Sequence, residues 1–373
     1  MEEDGVKIGI NTLFLIPGEV GGSETYLMEI LREWEKQSLP HEWVLFTNQE
    51  NHELLSSEFS GDGWQCMLCP FNASNRIVRI LREQFELPRK VRKSGVEVLW
   101  SPGYTTPFFS ACPQVVSILD MQYKRFPQDL SFLGRWTTEI LVQMAGRRAR
   151  AFLTISEFSK QEILQYTHAK AEQITVTPLA ADPVFAKPML GEVSVKKPYL
   201  LCVANSYPHK NVDQFIRAFA RLEEEIPHQL VFVGRPRLGE PAVQEALQQI
   251  QDSNRVTRLS GITREELVRL YQQAAIFVFP SFYEGFGLPV LEALYADTPV
   301  VTTRCGSIPE AGGDFVHYVD ETDDEAWAET IRLCLAEKHE SADTKRQAWL
   351  DQFSWRKTAQ RSLACLVEAS RSA

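Results

Sequence analysis

Short apolar runs alternate with amphipathic helical text along almost the whole of this 373-residue chain, and that alternation excludes most folds. "VKIGINTLF", "HEWVLFTN", "VEVLWSP", "QVVSILD" and "AFLTIS" have the length and apolar content of buried strands, with helical stretches between several of them. "SETYLMEILREW" places Tyr26, Leu27, Ile30 and Leu31 on one helical side. Strands that alternate with helices are joined by crossovers, so their sheet is mainly parallel and covered by helices on both faces. The loop-like stretch "VFAKPMLGEVSVKKP", residues 184–198, interrupts the pattern. It then restarts as "YLLCVA", "VDQFIRAFARLEEE", "HQLVFVG", "PAVQEALQQIQDS", "RVTRLSG", "TREELVRLYQQA", "AIFVFPS", "PVLEALYA" and "TPVVTT". Thr263 with Glu266 has the spacing of a capping box, and Ser354 is a candidate N-cap for a closing helix. The chain is longer than one hydrophobic core usually serves, and two similar α/β domains are expected.

Composition removes several function classes. Hydrophobic residues at 44% and charged residues at 24% are ordinary for a globular protein. A net charge of −10 argues against nucleic acid as a partner, because phosphate binding needs a basic face. No stretch approaches the ~20 apolar residues of a membrane span. The opening "MEEDGVKIGINTLF" is acidic and runs into a strand, unlike a secretory signal. Seven cysteines, an odd number, fit a reducing cytoplasm. Cys66 and Cys69 form a CxxC without a second pair at metal-ligand spacing, and they read as two half-buried thiols near a strand end.

In open α/β sheets ligands bind beyond the carboxyl ends of strands. Gly21 and Gly22, Asp120, Lys210 and Glu284 each follow such an end. The stretch "PSFYEGFGLPVLEA" is the richest. Its glycines allow a tight turn, and Pro289 suits the first helical position. The amides near Gly287 and Leu288 then form an anion site, with Glu284 before it and Glu292 one turn inside. Carboxylates flanking a phosphate are useful when they accept hydrogen bonds from hydroxyls, and a diphosphate with a polyol at each end, a nucleotide sugar, has that form. The competing reading is an exposed helix start with incidental acids. Lys210 in "NSYPHKN" is either a point charge for a phosphate or a solvated loop lysine, and His209 beside it reads as a surface residue. Gly21 and Gly22 offer backbone approach to a ligand, yet neither GxGxxG nor a P-loop occurs, which disfavours dehydrogenases and P-loop NTPases. Asp120 can hold a hydroxyl or a proton, or cap a turn. In "NRIVRILREQFELPRKVRKSG", Arg76, Arg79 and Arg82 recur with Ile77, Ile80 and Leu81 between them. Residues 76–93 therefore read as a basic amphipathic helix, for an anionic membrane surface or as a solvated face.

Together these segments resemble retaining glycosyltransferases of the GT-B fold, the family-4 (group 1) type that includes many bacterial mannosyl- and glucosyltransferases. "GGSETYL" resembles the family's N-terminal glycine loop, "LTISEFSKQEI" and "TPLAADPVF" its segments before the linker, "YPHKN" its phosphate loop, and "EGFGLPVLE" its two-glutamate signature, with "GSIPEAGGD" following. The resemblance implies two Rossmann-like domains facing a cleft: an acceptor domain at 1–185, a donor domain at 186–352, and a helix at 353–373 returning to the first. It implies transfer of a hexose, mannose or glucose type, from a GDP- or UDP-linked donor to a saccharide or lipid-linked acceptor. No metal or cofactor is implied, and the place of action is the cytoplasm or the inner membrane face. Lys210 would neutralise the diphosphate, Glu284 would hold sugar hydroxyls, and amides at Phe286, Gly287 and Leu288 would meet sugar and phosphates. Glu292 would take the ribose, Gly21 and Gly22 would lie near a phosphate, and Gly261 and Ile262 would meet the base. Asn205 and Gly234 complete the implied donor set, and Asp120 orients sugar or acceptor. Two departures stand out: Leu119 precedes Asp120 where the family often has histidine, and Ala204 and Asn205 occupy the stretch of a common arginine. Weaker donor binding, altered sugar choice or a non-catalytic relative acting as a partner subunit or sensor each follow from these.

Overall fold

The seven-stranded first sheet has the order β3-β2-β1-β4-β5-β6-β7, and its neighbouring strands pair in parallel. Its strands are β1 (Lys7–Asn11), β2 (Glu42–Thr47), β3 (Trp64–Leu68), β4 (Val98–Ser101), β5 (Gln114–Ser117), β6 (Ala151–Thr154) and β7 (Ile174–Val176). The second sheet has the order β10-β9-β8-β11-β12-β13, again parallel. It contains β8 (Tyr199–Val203), β9 (Gln229–Val233), β10 (Val256–Leu259), β11 (Ile276–Phe279), β12 (Val300–Thr303) and β13 (His317–Val319). The computed structural model describes residues 5–129, 131–319, 323–337 and 344–371, so the acidic opening at 1–4 lies outside it. Two strands escape the sequence pattern, β7 and β13, each three residues long, while β3, the strand that carries Cys66, runs half-buried along an edge. Residues 76–93, expected as one basic helix, form two, Arg76–Phe85 and Leu87–Ser94. In the first, Arg76 and Arg79 are half-buried, Glu83 is buried, and Ile77, Leu81 and Phe85 are exposed.

The chain divides into two compact units. The first joins Met1–Leu179 with Ser354–Ala373, and the second is Ala180–Phe353. The division falls earlier than residue 185, because the Pro183–Ala186 turn packs into the second unit, where the Phe185 ring meets Tyr271 edge-on at 5.4 Å. The helix Trp355–Arg371 belongs to the first unit. Ser354 caps it by accepting from the Lys357 amide at 3.1 Å. Its buried side, Thr358, Ala359, Ser362, Leu366 and Ala369, lies against that unit, and the Trp34 indole donates to the Ala359 carbonyl at 2.9 Å. Trp34 also stacks on Trp43 at 4.6 Å, and Trp43 on Trp64 at 5.2 Å.

In the second unit the helix Val212–Leu222 buries Val212, Phe215, Ile216, Ala218, Phe219 and Leu222 against β8 and β9 residues such as Leu200, Cys202, Leu230 and Phe232. Each fully buried Phe or Leu contributes about 1.5–3 kcal/mol, which fixes that helix and the loop feeding it. The strand order reverses direction between β1 and β4 in one unit and between β8 and β11 in the other. Those reversals open a crevice at the carboxyl ends of the strands.

Candidate functional site

The β8 and β11 loops meet at the reversal point of the second sheet. After β8 the chain makes a short turn, Pro208–Lys210, and Asn211 then takes a left-handed conformation (φ 51°) to start the helix Val212–Leu222. The His209 carbonyl accepts from the Phe282 amide at 2.8 Å and from the Ser281 hydroxyl at 3.2 Å, which ties the two loops together. Lys210 Nζ consequently donates to Glu284 Oε1 at 2.6 Å, and the two side chains are 22% and 11% exposed. The ammonium also lies 5.7 Å from the centre of the Phe279 ring. His209, expected at the surface, is 2% exposed, with the Tyr207 ring stacked on its imidazole at 5.6 Å. Burial, helped by the Lys210 charge, pushes its imidazole down to about 3, so it is neutral at physiological pH.

Glu284 is held by a segment whose role sequence reasoning missed. Its carbonyl accepts from the Ser307 hydroxyl at 2.8 Å and from the Ser307 amide at 3.3 Å. Gly306 sits at φ 62°, and a Cβ there would stand 2.8 Å from the Glu284 carbonyl oxygen. The available signal was the glycine in "RCGSIPEAGG".

Gly287, at φ 98°, caps the helix Leu288–Tyr295, with Pro289 in its first turn. The first helical bonds run from the Val290 and Leu291 amides to the Gly287 carbonyl. The amides ahead of them point along the helix start, the geometry of an anion site. The Phe286 side chain is buried against Phe353 at 5.8 Å, so its backbone is the part available to a ligand. One turn in, Glu292 accepts from the Tyr271 hydroxyl at 3.0 Å. Burial pushes the Glu292 carboxyl up to about 7 against the opposing Tyr271 hydrogen bond and Arg264 charge, with Asp182 adding to the rise. Arg264 is itself ion-paired with Asp182. Sequence reading missed Tyr271, Arg264 and Asp182, since none has a motif of its own.

Asn205 and Gly234 sit where β8 and β9 end. Asn205 Oδ1 accepts from the Arg235 amide at 2.8 Å, and a Cβ on Gly234 would come within 2.0 Å of the Ala204 carbonyl oxygen. Both residues therefore hold the strand ends together at the crevice. Gly261, at φ 67° after β10, is exposed, and Ile262 beside it is half-buried. Every predicted residue of the second unit thus lies at the carboxyl end of its sheet, and Lys210 with Glu284 are in direct contact.

Gly21, Gly22 and Asp120 belong to the first unit. Gly21 (φ 59°) precedes the helix Gly22–Lys36, both glycines are exposed, and Glu24 folds their loop back by accepting from the Gly18 amide at 2.9 Å. Asp120 accepts from the Gln122 amide at 3.1 Å. Burial and the Asp120 carboxylate, which shares a hydrogen bond with it, raise the Tyr104 hydroxyl well above its ordinary value. Tyr104 has φ 69°, an uncommon conformation for a bulky residue, and nothing in the sequence flagged it. Leu119 is buried, so the position preceding Asp120 serves the core. Cys69 is fully buried and its thiol is pushed up to about 12 by burial, while Cys66 is half-buried. Among the described residues no group of three His, Cys, Asp or Glu is placed to hold a metal.

Residues 20–185 match the family described as Glycosyltransferase Family 4, and residues 191–349 match Glycosyl transferases group 1. The chain is 31% identical over 219 residues to O-antigen chain mannosyltransferase B of Escherichia coli, covering 56% of this chain and 58% of that one. It is 32% identical over 238 residues to MMP alpha-(1->4)-mannosyltransferase of Mycolicibacterium hassiacum, covering 61% and 57% respectively. The chain thus spans less than two thirds of the length of these curated relatives. A crystal structure of Anabaena Alr3699/HepE in complex with UDP-glucose superposes over 98% of both chains with a TM-score of 0.67 at 18% identity. With a family-4 domain followed by a group 1 domain, each on its own parallel sheet, the chain belongs to the family-4, group 1 glycosyltransferases and has the GT-B fold.

Proposed function

We propose that this protein transfers a hexose of mannose or glucose type from a GDP- or UDP-linked donor to a saccharide or lipid-linked acceptor, with retention at the anomeric carbon. The observation that carries the reading is the Lys210–Glu284 contact at the β8/β11 reversal, beside a glycine-capped helix start. The relatives named as mannosyltransferases and the neighbour solved with UDP-glucose support the donor class. An ammonium has three donors, so Lys210 can keep Glu284 and still meet a diphosphate. Its charge, with the helix-start amides, would stabilise the departing diphosphate, and Glu284 would accept from sugar hydroxyls. A donor phosphate oxygen would take the acceptor's proton, Asp120 would orient sugar or acceptor, and no metal would be required.

The test is a thermal-shift panel with UDP, GDP, ADP, dTDP and CDP. A nucleotide at ~100 times its dissociation constant adds roughly 2.7 kcal/mol, which raises Tm by about 5–10 °C for a domain this size. One base standing out is expected. A flat panel would overturn the donor site and favour the second reading, a non-catalytic relative, which the buried Leu119 before Asp120 motivates.

Donor binding should also depend on pH through Glu292. Accepting two ribose hydroxyls requires the ionised carboxylate, whose value lies at about 7. Each unit of pH below that value costs about 1.4 kcal/mol. The dissociation constant of an intact nucleotide sugar, which does not itself titrate in this range, should be about tenfold weaker at pH 6 than at pH 8. The stability contribution has the opposite sense. A raised carboxyl binds more protons folded than unfolded, so its contribution is present near pH 4.5 and is lost as pH rises through 7. Titration calorimetry across this range, with Glu292→Gln removing the dependence, checks the assignment, and a flat wild-type profile rejects it.

A further inference from the structure

The two carboxylate oxygens of Glu292 are not equivalent. Oε2 accepts from the Tyr271 hydroxyl at 3.0 Å, while Oε1 accepts no hydrogen bond among the described residues. A carboxylate largely withdrawn from water, with one oxygen unmet, asks for an explanation. The phenol that holds Oε2 is fixed independently of the glutamate. Tyr271 lies on the helix Arg264–Gln273 and is fully buried. Its ring meets Phe185 edge-on at 5.4 Å and Phe277 at 5.0 Å, and its carbonyl accepts from the Thr298 hydroxyl at 2.6 Å. Packing on this scale leaves a side chain one rotamer. Burial and the Glu292 carboxylate raise the Tyr271 hydroxyl well above its ordinary value, so it remains a donor throughout the neutral range. The nearby charges do not replace it. Arg264 and Asp182 act on the Glu292 carboxyl with opposite sign, and the Tyr271 hydrogen bond is the larger support of its ionised form.

We propose that Tyr271 is a positioning residue for nucleotide recognition: it engages Oε2 of Glu292, leaves Oε1 for the 2′- and 3′-hydroxyls of a ribose, and so sets a preference for ribonucleotides over 2′-deoxyribonucleotides. The inference rests on Glu292 being the ribose carboxylate. One carboxylate oxygen has lone pairs for both hydroxyls, and a site built to accept from a hydroxyl discriminates against the analogue that lacks it. Tyr271 touches no ligand in this scheme and acts through Glu292. Without its hydroxyl the carboxylate loses the donor that favours its charged form and fixes its orientation. A proton or a turned side chain then weakens the ribose contact. Tyr271 stands 21 residues from Glu292, outside the glycine–proline stretch that carries the acid.

The test is titration calorimetry of the full chain with UDP, GDP and their 2′-deoxy counterparts, in the wild type, Tyr271→Phe, Glu292→Gln and the double variant. The wild type should prefer the ribonucleotide of its base by about tenfold or more. Tyr271→Phe keeps the packed ring and should weaken the ribonucleotide about three- to tenfold while leaving the deoxynucleotide nearly unchanged. A purely structural role would weaken both alike and preserve their ratio. Tyr271→Phe/Glu292→Gln should bind no more weakly than Glu292→Gln alone, because the hydroxyl acts through that carboxylate. This comparison leaves no buried carboxylate without its donor, so it also decides the matter if Tyr271→Phe alone does not fold. A wild-type preference that survives Tyr271→Phe, or a double variant weaker than Glu292→Gln, overturns the inference and leaves the donor site standing. Equal wild-type binding of ribo- and deoxynucleotides removes Glu292 from the ribose and overturns both assignments. No binding of any nucleotide overturns the donor site itself, and the inference with it.

Discussion

Lys210→Ala is expected to lower kcat/KM by about 10²–10³-fold, the loss typical of one preorganised group facing transition-state charge. The departing diphosphate gains charge as the glycosidic bond breaks, and the ammonium at the β8/β11 reversal would be the nearest fixed positive charge. The same substitution should also reduce stability, because Lys210 Nζ and Glu284 Oε1 are 2.6 Å apart on side chains only 22% and 11% exposed. Removing one partner leaves the other charge poorly solvated. Breaking a fully buried pair costs about 3–5 kcal/mol, and the residual exposure here reduces that to about 1–3 kcal/mol. At about 2–4 °C per kcal/mol the Tm of Lys210→Ala falls measurably. Glu284→Gln should show the same two losses. The combination Lys210→Met/Glu284→Gln separates them, since neutralising both partners recovers much of the Tm and none of the activity. Steady-state kinetics beside melting curves supply the check. Both single variants retaining activity within twofold would reject these residues as the donor-site charges.

Gly306→Ala should cost nearly as much activity although the residue has no proposed ligand contact. Its φ of 62° is unfavourable for alanine, and the new Cβ would lie 2.8 and 2.9 Å from the Glu284 carbonyl oxygen and amide nitrogen. Neither backbone atom can yield without moving Glu284. A displacement near 1 Å at a positioning group can cost about 10²-fold in rate, and left-handed alanine adds about 1–2 kcal/mol of instability. Gly21→Ala separates strain from contact. At φ 59° and ψ −127° alanine is strained there too, but nothing lies within 4 Å of the new Cβ, so it should show backbone strain without a clash. Any further loss at Gly21 would report a bound ligand approaching that loop. Full activity in Gly306→Ala would mean that the Glu284 position tolerates movement, and that preorganisation there is unimportant.

Much of this was legible in the chain. Alternation of strand and helix announced two parallel-sheet units, because periodicity is set by neighbours a few residues apart. The rule that ligands lie past strand ends pointed to 205–211 and 284–292, and both stretches do follow β8 and β11. The glycine–proline helix start at Gly287 was readable for the same local reason.

What the chain alone left open involves distance along it or sign. Strands β7 and β13 are three residues long, too short to show a period. The Lys210–Glu284 contact spans 74 residues and exists because β8 and β11 are neighbours in the sheet, an order no local pattern encodes. His209 is buried although it sits in a loop, and its carbonyl ties that loop to the β11 loop through Phe282 and Ser281, 73 and 72 residues away. The helix Arg76–Phe85 shows the question of sign most plainly. Its amphipathic period was visible in sequence, but a period does not state which face turns inward. Asn11 and Thr105, far along the chain, provide the donors that let Glu83 be buried, and so the apolar stripe faces out. Sequence by itself determined the elements, the two units and the strand ends where chemistry collects. Tertiary structure decided which charges meet and which faces are exposed, because hydrogen-bond partners and desolvation depend on residues that only folding brings together.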